Sequence, residues 1–330
     1  MRFLILIILA AALFLLNLFT GSVSIPAGEV LDILFHGDID SGPMEFIILG
    51  SRVPQAVTAL LAGAALTVAG LLLQTAFRNP LAGPSILGIT SGAGLGVALV
   101  MLLLGGTVSF AGFTAGGYVA VLIGALAGSL AVMALLLLFS MWLKSDLMLL
   151  IAGIMTGYLT SSVVTLLNYL SSAEGIQSFT MWGMGTFGSV SRQQLPLFSI
   201  AIGIGLFISI LLVKPLNIIL LGENYARNLG ISMQWIRNML LVATGVLTSV
   251  VTAFCGPIGF IGLAVPHISR MIFRTSDHRV MIPGSILTGG VTGLLCNLLC
   301  IMPENIILPL NGVTPLIGVP VILYVIFKKR

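Results

Sequence analysis

The feature that most constrains this chain is a succession of long apolar runs, almost empty of charge inside and separated by short polar breaks. They lie at about 3–20, 54–77, 85–105, 116–140, 147–169, 195–213, 237–255, 257–273, 281–300 and 312–327. A helix needs about 20 apolar residues to cross a bilayer, and lipid offers no partners to unpaired backbone groups. Runs of this length therefore predict spanning helices. Only 7% of the 330 residues are charged and 58% are hydrophobic, against about 25% charged in a soluble domain. The expected fold is a single all-α polytopic membrane domain over residues 1–330, with ten transmembrane helices. Its 39 glycines suit helices that pack closely where apolar burial gives little drive for association. Residues 3–20 are long for a signal peptide and no small-x-small cleavage site follows, so they read as the first span.

The charges orient the threading. Ten spans put both termini on one face. That face holds Arg2, Arg78, Lys144, Lys214, Arg227, Arg237, Arg270, Arg274, Arg279, Lys328, Lys329 and Arg330, and the other holds only Arg52 and Arg192. The basic-rich face is expected to be cytoplasmic. Glu29, Asp32, Asp38, Asp40, Glu45, Glu174 and Glu304 then fall outside, in segments 21–51, 171–193 and the last outer loop. The 171–193 segment, with Met181 and Trp182, reads as a short surface helix. Basic charge so placed points to a membrane, not to nucleic acid.

Several chemistries are excluded. No Gly-x4-Gly-Lys-Ser/Thr loop is present, so the chain is not expected to hydrolyse ATP itself. Gly88, Gly92, Gly94 and Gly96 lack the strand and lysine of a phosphate loop and read as helix packing. No acid falls inside a span, where one costs roughly 2.5–3.5 kcal/mol or more and is kept for ion coupling. An ion-coupled secondary carrier is thereby disfavoured. No catalytic constellation is visible, and Cys255, Cys296 and Cys300 read as small packing residues rather than a metal or disulfide site. What remains is a pore-forming subunit whose energy comes from a partner.

The stretch from Leu220 to Arg237 breaks the pattern. It mixes Glu223, Arg227 and Arg237 with Tyr225, Ala226, Leu229, Ile231 and Trp235, divided by Gly222 and Gly230. Two short helices at the cytoplasmic face, over 214–236, fit it, with Ser232 capping the second. From pattern alone, a partner surface and an ordinary interhelical loop fit equally. Gly256, Pro257, Gly259, Gly262, Pro266, His267 and Arg270 form the most distinctive intramembrane run. Its glycines are spaced for a close helix contact, and its prolines interrupt regular hydrogen bonding. His267 reads as a structural histidine. A weak inverted repeat also emerges. Arg52, Gly70 and Pro80 are spaced almost as Arg237, Gly256 and Pro266, five spans later, which is a transporter pattern.

The run Gly256–Arg270, followed by Asp277-His278-Arg279 and Pro283-Gly284, resembles the FecCD family of ABC importer permeases, which serve iron–siderophores, haem and cobalamin. The likeness extends to Arg52-Val53-Pro54, to Arg78–Ala82 with Gly88, to Gly222-Glu223, Ala226 and Leu229-Gly230, and to Pro309 and Gly318-Val319-Pro320. It covers roughly 45–330. It implies a type II ABC importer permease architecture: a homodimer in the bacterial inner membrane, with two cytoplasmic ATPase subunits and a periplasmic substrate-binding protein. ATP and Mg2+ would sit on the ATPase subunits, with no cofactor or metal on this chain. Gly222, Glu223, Ala226, Arg227, Leu229 and Gly230 would couple to the ATPase. Arg52 would dock the binding protein. The fifth and tenth spans would line the pathway, and turns at Thr90, Ser91 and Gly92 and at Ser145 and Asp146 would close it on the cytoplasmic side. An iron–siderophore is the expected cargo, with haem or cobalamin as alternatives. Two departures from the family pattern stand out. At the outer face Gln55 occupies the place of a second docking arginine and a further family arginine has no counterpart around Cys300, and before the last span Pro309-Leu310-Asn311 replaces Pro-x-Gly.

Overall fold

In the computed structural model, residues 1–37, 42–105, 107–110, 113–143, 145–222, 230, 232–302 and 306–328 are described. Every expected span falls on a helix. These are α1 (Arg2–Phe19), α3 (Val53–Ala76), α4 (Ile89–Ala98), α5 (Gly117–Trp142), α6 (Asp146–Leu170), α8 (Leu195–Leu211), α10 (Met233–Cys255), α11 (Ile261–Phe273), α12 (His278–Ile301) and α13 (Leu310–Lys328). Helix α2 (Ala27–His36) precedes α3, α7 (Ala173–Gly183) falls within the 171–193 segment, and α9 (Val213–Leu220) follows α8 at a 46° bend. Among the described residues, six helices are long and apolar enough to cross a membrane alone, and α8 with α9 makes a seventh as a bent pair. The apolar helices at Ile89–Leu103, Ile261–Phe273 and Leu310–Val325 are shorter.

Irregularities mark where the pattern of apolar runs is too coarse. The third run is not one regular helix. A 3-10 turn Pro84–Leu87 precedes α4, and a π-helical turn Leu99–Leu103 follows it. Gly88 joins the first two with φ +77°, a left-handed conformation that a Cβ disfavours. Residues Thr107–Phe110 and Phe113–Gly116 form a two-stranded antiparallel hairpin, pairing Thr107 with Gly116, which hydropathy did not suggest. Another π-helical turn, Phe46–Arg52, leads into α3.

The chain divides into two compact units, each with its own core. The first comprises Met1–Val68, Gly185–Gly203 and Ile258–Arg330. In it α1 packs on α12, and α11 packs on α12 and α13. Helices α3 and α12 approach closely: a Cβ at Gly63 of α3 would overlap the Gly289 carbonyl oxygen, and one at Gly293 of α12 the Ala59 carbonyl oxygen. Arg2 donates to the Phe273 carbonyl at 2.8 Å, and the rings of Phe3 and Phe273 lie 4.6 Å apart. The start of α1 is thus tied to the end of α11.

The second unit comprises Ala69–Met184 and Ile204–Pro257. There α4 packs on α5 and α6, and α10 packs on α5. Gly92 and Gly96 of α4 face Gly128 and Gly124 of α5, and a Cβ at Gly92 would lie 2.6 Å from the Gly128 oxygen. Such approach replaces the missing hydrophobic drive with dispersion contact between backbones. Contacts α4–α5, α4–α6 and α5–α6 in this unit recur as α11–α12, α11–α13 and α12–α13 in the other. The internal repeat read from three spacings is therefore matched in packing.

Candidate translocation and coupling site

Helix α6 is the most unusual surface in the second unit. Leu147, Met148, Ile151, Met155, Tyr158 and Leu159 are exposed along it, as are Leu166, Tyr169 and Leu170. Ser161, Ser162 and Thr165 are exposed too. By contrast, the exposed residues Leu197, Ile200, Ile204 and Phe207 of α8 are purely aliphatic or aromatic, as a lipid face requires. The α6 face mixes apolar bulk with hydroxyls and, after Asp146, carries no charge. Ser162 and Thr165 donate back to the carbonyls of Tyr158 and Ser161, both at 3.0 Å. Their oxygens keep acceptor capacity toward water or a ligand. Such a face can slide a bulky cargo recognised by shape, without ion pairs that would trap it. On α13, Leu316, Leu323, Tyr324 and Phe327 are exposed.

The expected cytoplasmic gate divides into two places. Thr90 and Ser91 are half-buried and Gly92 is buried, at the start of α4. That end packs on the middle of α6. A Cβ at Gly88 would lie 2.9 Å from the Gly153 oxygen, and one at Gly157 would lie 3.6 Å from Ser91 Oγ. Ser145 and Asp146 instead begin α6. Gly157 is 11 residues beyond Asp146, or roughly 16 Å along a helix. The residues Thr90–Gly92 and Ser145–Asp146 therefore brace different levels of the same helix.

At the start of α6 lies a polar knot that hydropathy could not show. Arg237 of α10 donates from Nε to Ser140 Oγ at 3.1 Å, from Nη2 to the Ser140 carbonyl at 2.8 Å, and from Nη1 to Asp146 Oδ1 at 3.3 Å. Its Nη2 also donates to Gln234 Oε1. Gln234 Nε2 donates to the Ser140 carbonyl at 2.6 Å, and Ser140 Oγ donates to Asn238 Oδ1 at 2.7 Å. The Arg237 and Asp146 side chains are 12% and 32% exposed. Of these five residues only Arg237 and Asp146 stood out in the sequence. The spacing of Gln234 and Asn238, one turn apart at the head of an apolar helix, was the available signal.

The stretch expected to couple to an ATPase falls only partly within the described residues. Gly222 and Gly230 have φ +112° and +74°, as expected of glycines that break helices. Glu223, Ala226, Arg227 and Leu229 lie outside the described residues, as does Lys144. Ser232 does cap a helix, accepting from the Trp235 N–H at 3.3 Å. That helix is the long α10, starting at Met233, so residues 233–236 belong to the seventh span and not to a separate coupling helix. Capping satisfies amides at the new N-terminus, which moves the helix start four residues ahead of the apolar run.

Arg52 is not a surface donor in this structure. It is 6% exposed. Its Nη1 donates to the Leu18 carbonyl at 2.7 Å, and its Nη2 donates to the Val23 carbonyl. The guanidinium thus ties the end of α1 and the following turn to the start of α3, and Gly21 leaves room for it. Gln55 also points inward, donating to Asn297 Oδ1 at 3.0 Å. Asn297 donates to Asn17 Oδ1 at 2.8 Å, and Asn17 donates to the Leu294 carbonyl at 3.1 Å. Neither asparagine is more than 3% exposed, so the amides satisfy one another inside the apolar first unit.

The Gly256–Arg270 run is not one packing stripe. Gly256 ends α10 with φ +76°, Gly259 lies in the loop, and Gly262 lies in α11. Pro257 lacks the N–H that would continue a helix, so the three glycines sit on three different pieces of backbone. Phe260, a non-glycine at φ +65°, begins the turn into α11. Its ring packs where Gly318 of α13 has no side chain. Pro266 lies within α11, His267 is buried, and Arg270 is half-buried near its end. Asn311, the departure before the last span, accepts from the Gly259 N–H at 3.0 Å. Cys255, Cys296 and Cys300 are free and buried, and among the described residues no cluster of three His, Cys, Asp or Glu could hold a metal.

Comparison with known proteins gives these observations a context. The family model described as "FecCD transport family" matches residues 7–328. The vitamin B12 import system permease protein BtuC of Salmonella paratyphi A is 37% identical over 319 residues, covering 96% of this chain and 94% of that protein. The corresponding protein of Citrobacter koseri is 37% identical over 295 residues, covering 89% of this chain and 87% of its own. A solved structure assigned to the metal-chelate type of ABC transporter, in an inward-facing conformation, superposes with a TM-score of 0.85 at 30% identity, covering 99% of this chain and 98% of its own. PsaBC from Streptococcus pneumoniae superposes with a TM-score of 0.53 at 18% identity, over 83% of this chain and 90% of its own, a likeness of fold alone.

Proposed function

The chain belongs to the FecCD transport family, and from that premise we propose that it is the membrane permease subunit of an ATP-driven importer of a bulky metal chelate. The observation that carries the cargo class is the uncharged, hydroxyl- and aromatic-bearing face of α6. It suits a large ligand held by shape. The sequence put an iron–siderophore first. The vitamin B12 permeases that match at 37% identity over nearly their whole length move cobalamin ahead of it. An iron chelate is the second reading, favoured by the metal-chelate transporter that superposes on 99% of the chain.

The chain contains no nucleotide-binding loop, so it is not itself the ATPase. ATP and Mg2+ belong to two partner subunits on the cytoplasmic side. A second copy of this chain would complete the pathway, and a substrate-binding protein would deliver cargo from the opposite face. Both termini would lie in the cytoplasm of a bacterium, with the chain in its inner membrane. Closure of the ATPase pair on ATP would displace residues 222–232 and shift the pathway between faces.

Reconstitution tests this directly. Proteoliposomes holding this chain, its ATPase and its binding protein are offered cobalamin, ferric siderophores or haem, with ATP inside or with an ion gradient alone. ATP-dependent cobalamin uptake is expected. Uptake driven by the gradient without the ATPase would replace the importer with a secondary carrier. In the same assay Leu229→Asp or Ala226→Asp should lower uptake about tenfold, the scale of an ordinary coupling energy between sites, at an unchanged melting temperature. Wild-type uptake by both variants would remove that stretch from the coupling surface.

A further inference from the structure

We infer that one buried water joins α12 to α13 through Thr292 and Thr314, in a cavity beside α11. The helices of this chain bury a hydroxyl in one usual way. Those of Thr67, Thr75, Ser209, Thr288 and Thr292 donate to the carbonyl one turn back, at 2.8 or 2.9 Å. Each enters an apolar medium with its proton already placed. Thr314 departs from this pattern. It is 2% exposed, and its Oγ1 is buried with no hydrogen bond among the described residues. The carbonyl one turn back belongs to Leu310, the first residue of α13, and Thr314 does not use it.

This hydroxyl belongs to a residue that lines a cavity. Ala264, Val265 and Ile268 of α11, Thr292 and Cys296 of α12 and Thr314 of α13 are part of its wall. Its volume is about 10 Å³, room for one water and for nothing the size of a cargo. Ala264, Val265, Cys296 and Thr314 are each at most 2% exposed, so the site is interior to the first unit. A wholly apolar hole stays dry, but this one has three polar groups on its wall. Thr314 has a proton to give. Thr292 has given its own to the Thr288 carbonyl and keeps lone pairs. The Cys296 thiol is a weak donor. A water that accepts from Thr314 and Cys296 and donates to Thr292 makes three bonds, the usual number for a buried water. No lining residue is acidic or basic, so the wall suits a neutral ligand and not an ion.

The bridge also gives a reason for threonine at a junction of three apolar helices. Valine would fill nearly the same space with no hydroxyl to satisfy. Pro315 follows Thr314 within α13 and has no N–H to give to the carbonyl one turn back. The first turns of α13 are thus short of an internal hydrogen bond, and a water held by α12 supplies an external one. The inference rests on packing inside one unit and holds whatever the chain transports.

Two measurements on the full chain in lipid nanodiscs test it. The first is a density map of the wild type at a resolution that shows interior waters. A peak is expected within about 3.2 Å of both Thr314 Oγ1 and Thr292 Oγ1. A map that shows interior waters elsewhere and none here would overturn the proposal. The second is the melting temperature of Thr314→Val, where the two cases differ in sign. Loss of a water-bridged hydroxyl should lower it by about 2–4 °C. Loss of an unpartnered hydroxyl would raise it, and a rise would sink the bridge. The infrared S–H stretch of Cys296, isolated by subtracting the Cys296→Ala spectrum, gives an independent reading. It should sit at the hydrogen-bonded position in wild type and Thr314→Ser, and move to the free position in Thr314→Val. A band at the free position in wild type would remove Cys296 from the site.

Discussion

Replacing Gly63 with leucine is expected to abolish accumulation of folded protein. A Cβ at this position would overlap the Gly289 carbonyl oxygen and lie 3.0 Å from Gly293 Cα. Both are backbone atoms of α12, so no rotamer change relieves the clash. Ordinary overpacking costs about 1–3 kcal/mol, relieved by side-chain movement. Here α3 and α12 must separate, and the hydrogen bond from Gln55 to Asn297 would be pulled apart with them. The cost should exceed about 4 kcal/mol, a large part of a stability of roughly 5–15 kcal/mol. Size-exclusion chromatography of detergent extracts measures it, with Gly203→Leu as the control, since nothing lies within 4 Å of a Cβ there. A normal monodisperse yield from Gly63→Leu would show that the two helices do not approach this closely.

The second large effect is at Arg52. Arg52→Glu would place a carboxylate against the Leu18 and Val23 carbonyls that now accept from the guanidinium. Breaking a buried charged grouping in this way costs about 3–5 kcal/mol. Arg52→Lys retains a donor but not the fork, and should lose about 1–2 kcal/mol. The melting temperature of the purified chain should therefore fall steeply for glutamate and modestly for lysine. A docking residue would behave in the opposite sense, leaving melting unchanged while weakening capture of the binding protein. The two roles are separated by measuring both quantities on the same variants.

Much of the architecture is legible before any coordinates. Apolar length fixes which segments are helices, because lipid leaves a backbone no alternative, and each of the ten predicted runs falls on a helix. Glycine content announces close packing, and Gly92 and Gly96 deliver it against Gly128 and Gly124. The helix Ala173–Gly183 falls in the 171–193 segment that its weaker hydropathy set apart, and Ser232 was recognisable as a cap. These features are local. They depend on the residue and its near neighbours along the chain.

The site was less legible. Arg52 has the same charge whether it faces water or folds back onto Leu18 and Val23, and only the fold shows that it folds back. Asn17, Gln55 and Asn297 are separated by as many as 280 positions, so no spacing rule joins them. Gly256, Gly259 and Gly262 have the right period for a helix face, yet Pro257 and the turn at Phe260 divide them.

The class of protein, the placement of its apolar helices and the family could be read along the chain, because burial in lipid is a demand on composition and a family signature is a linear pattern. Which polar groups meet was set by the folded arrangement. It sent Arg52 inward, set Thr90–Gly92 and Ser145–Asp146 at two levels of α6, and brought Arg237 to Ser140 and Asp146. In an apolar medium a buried donor must find an acceptor wherever the fold brings one within about 3 Å. That distance is a property of three dimensions, and a linear chain does not record it.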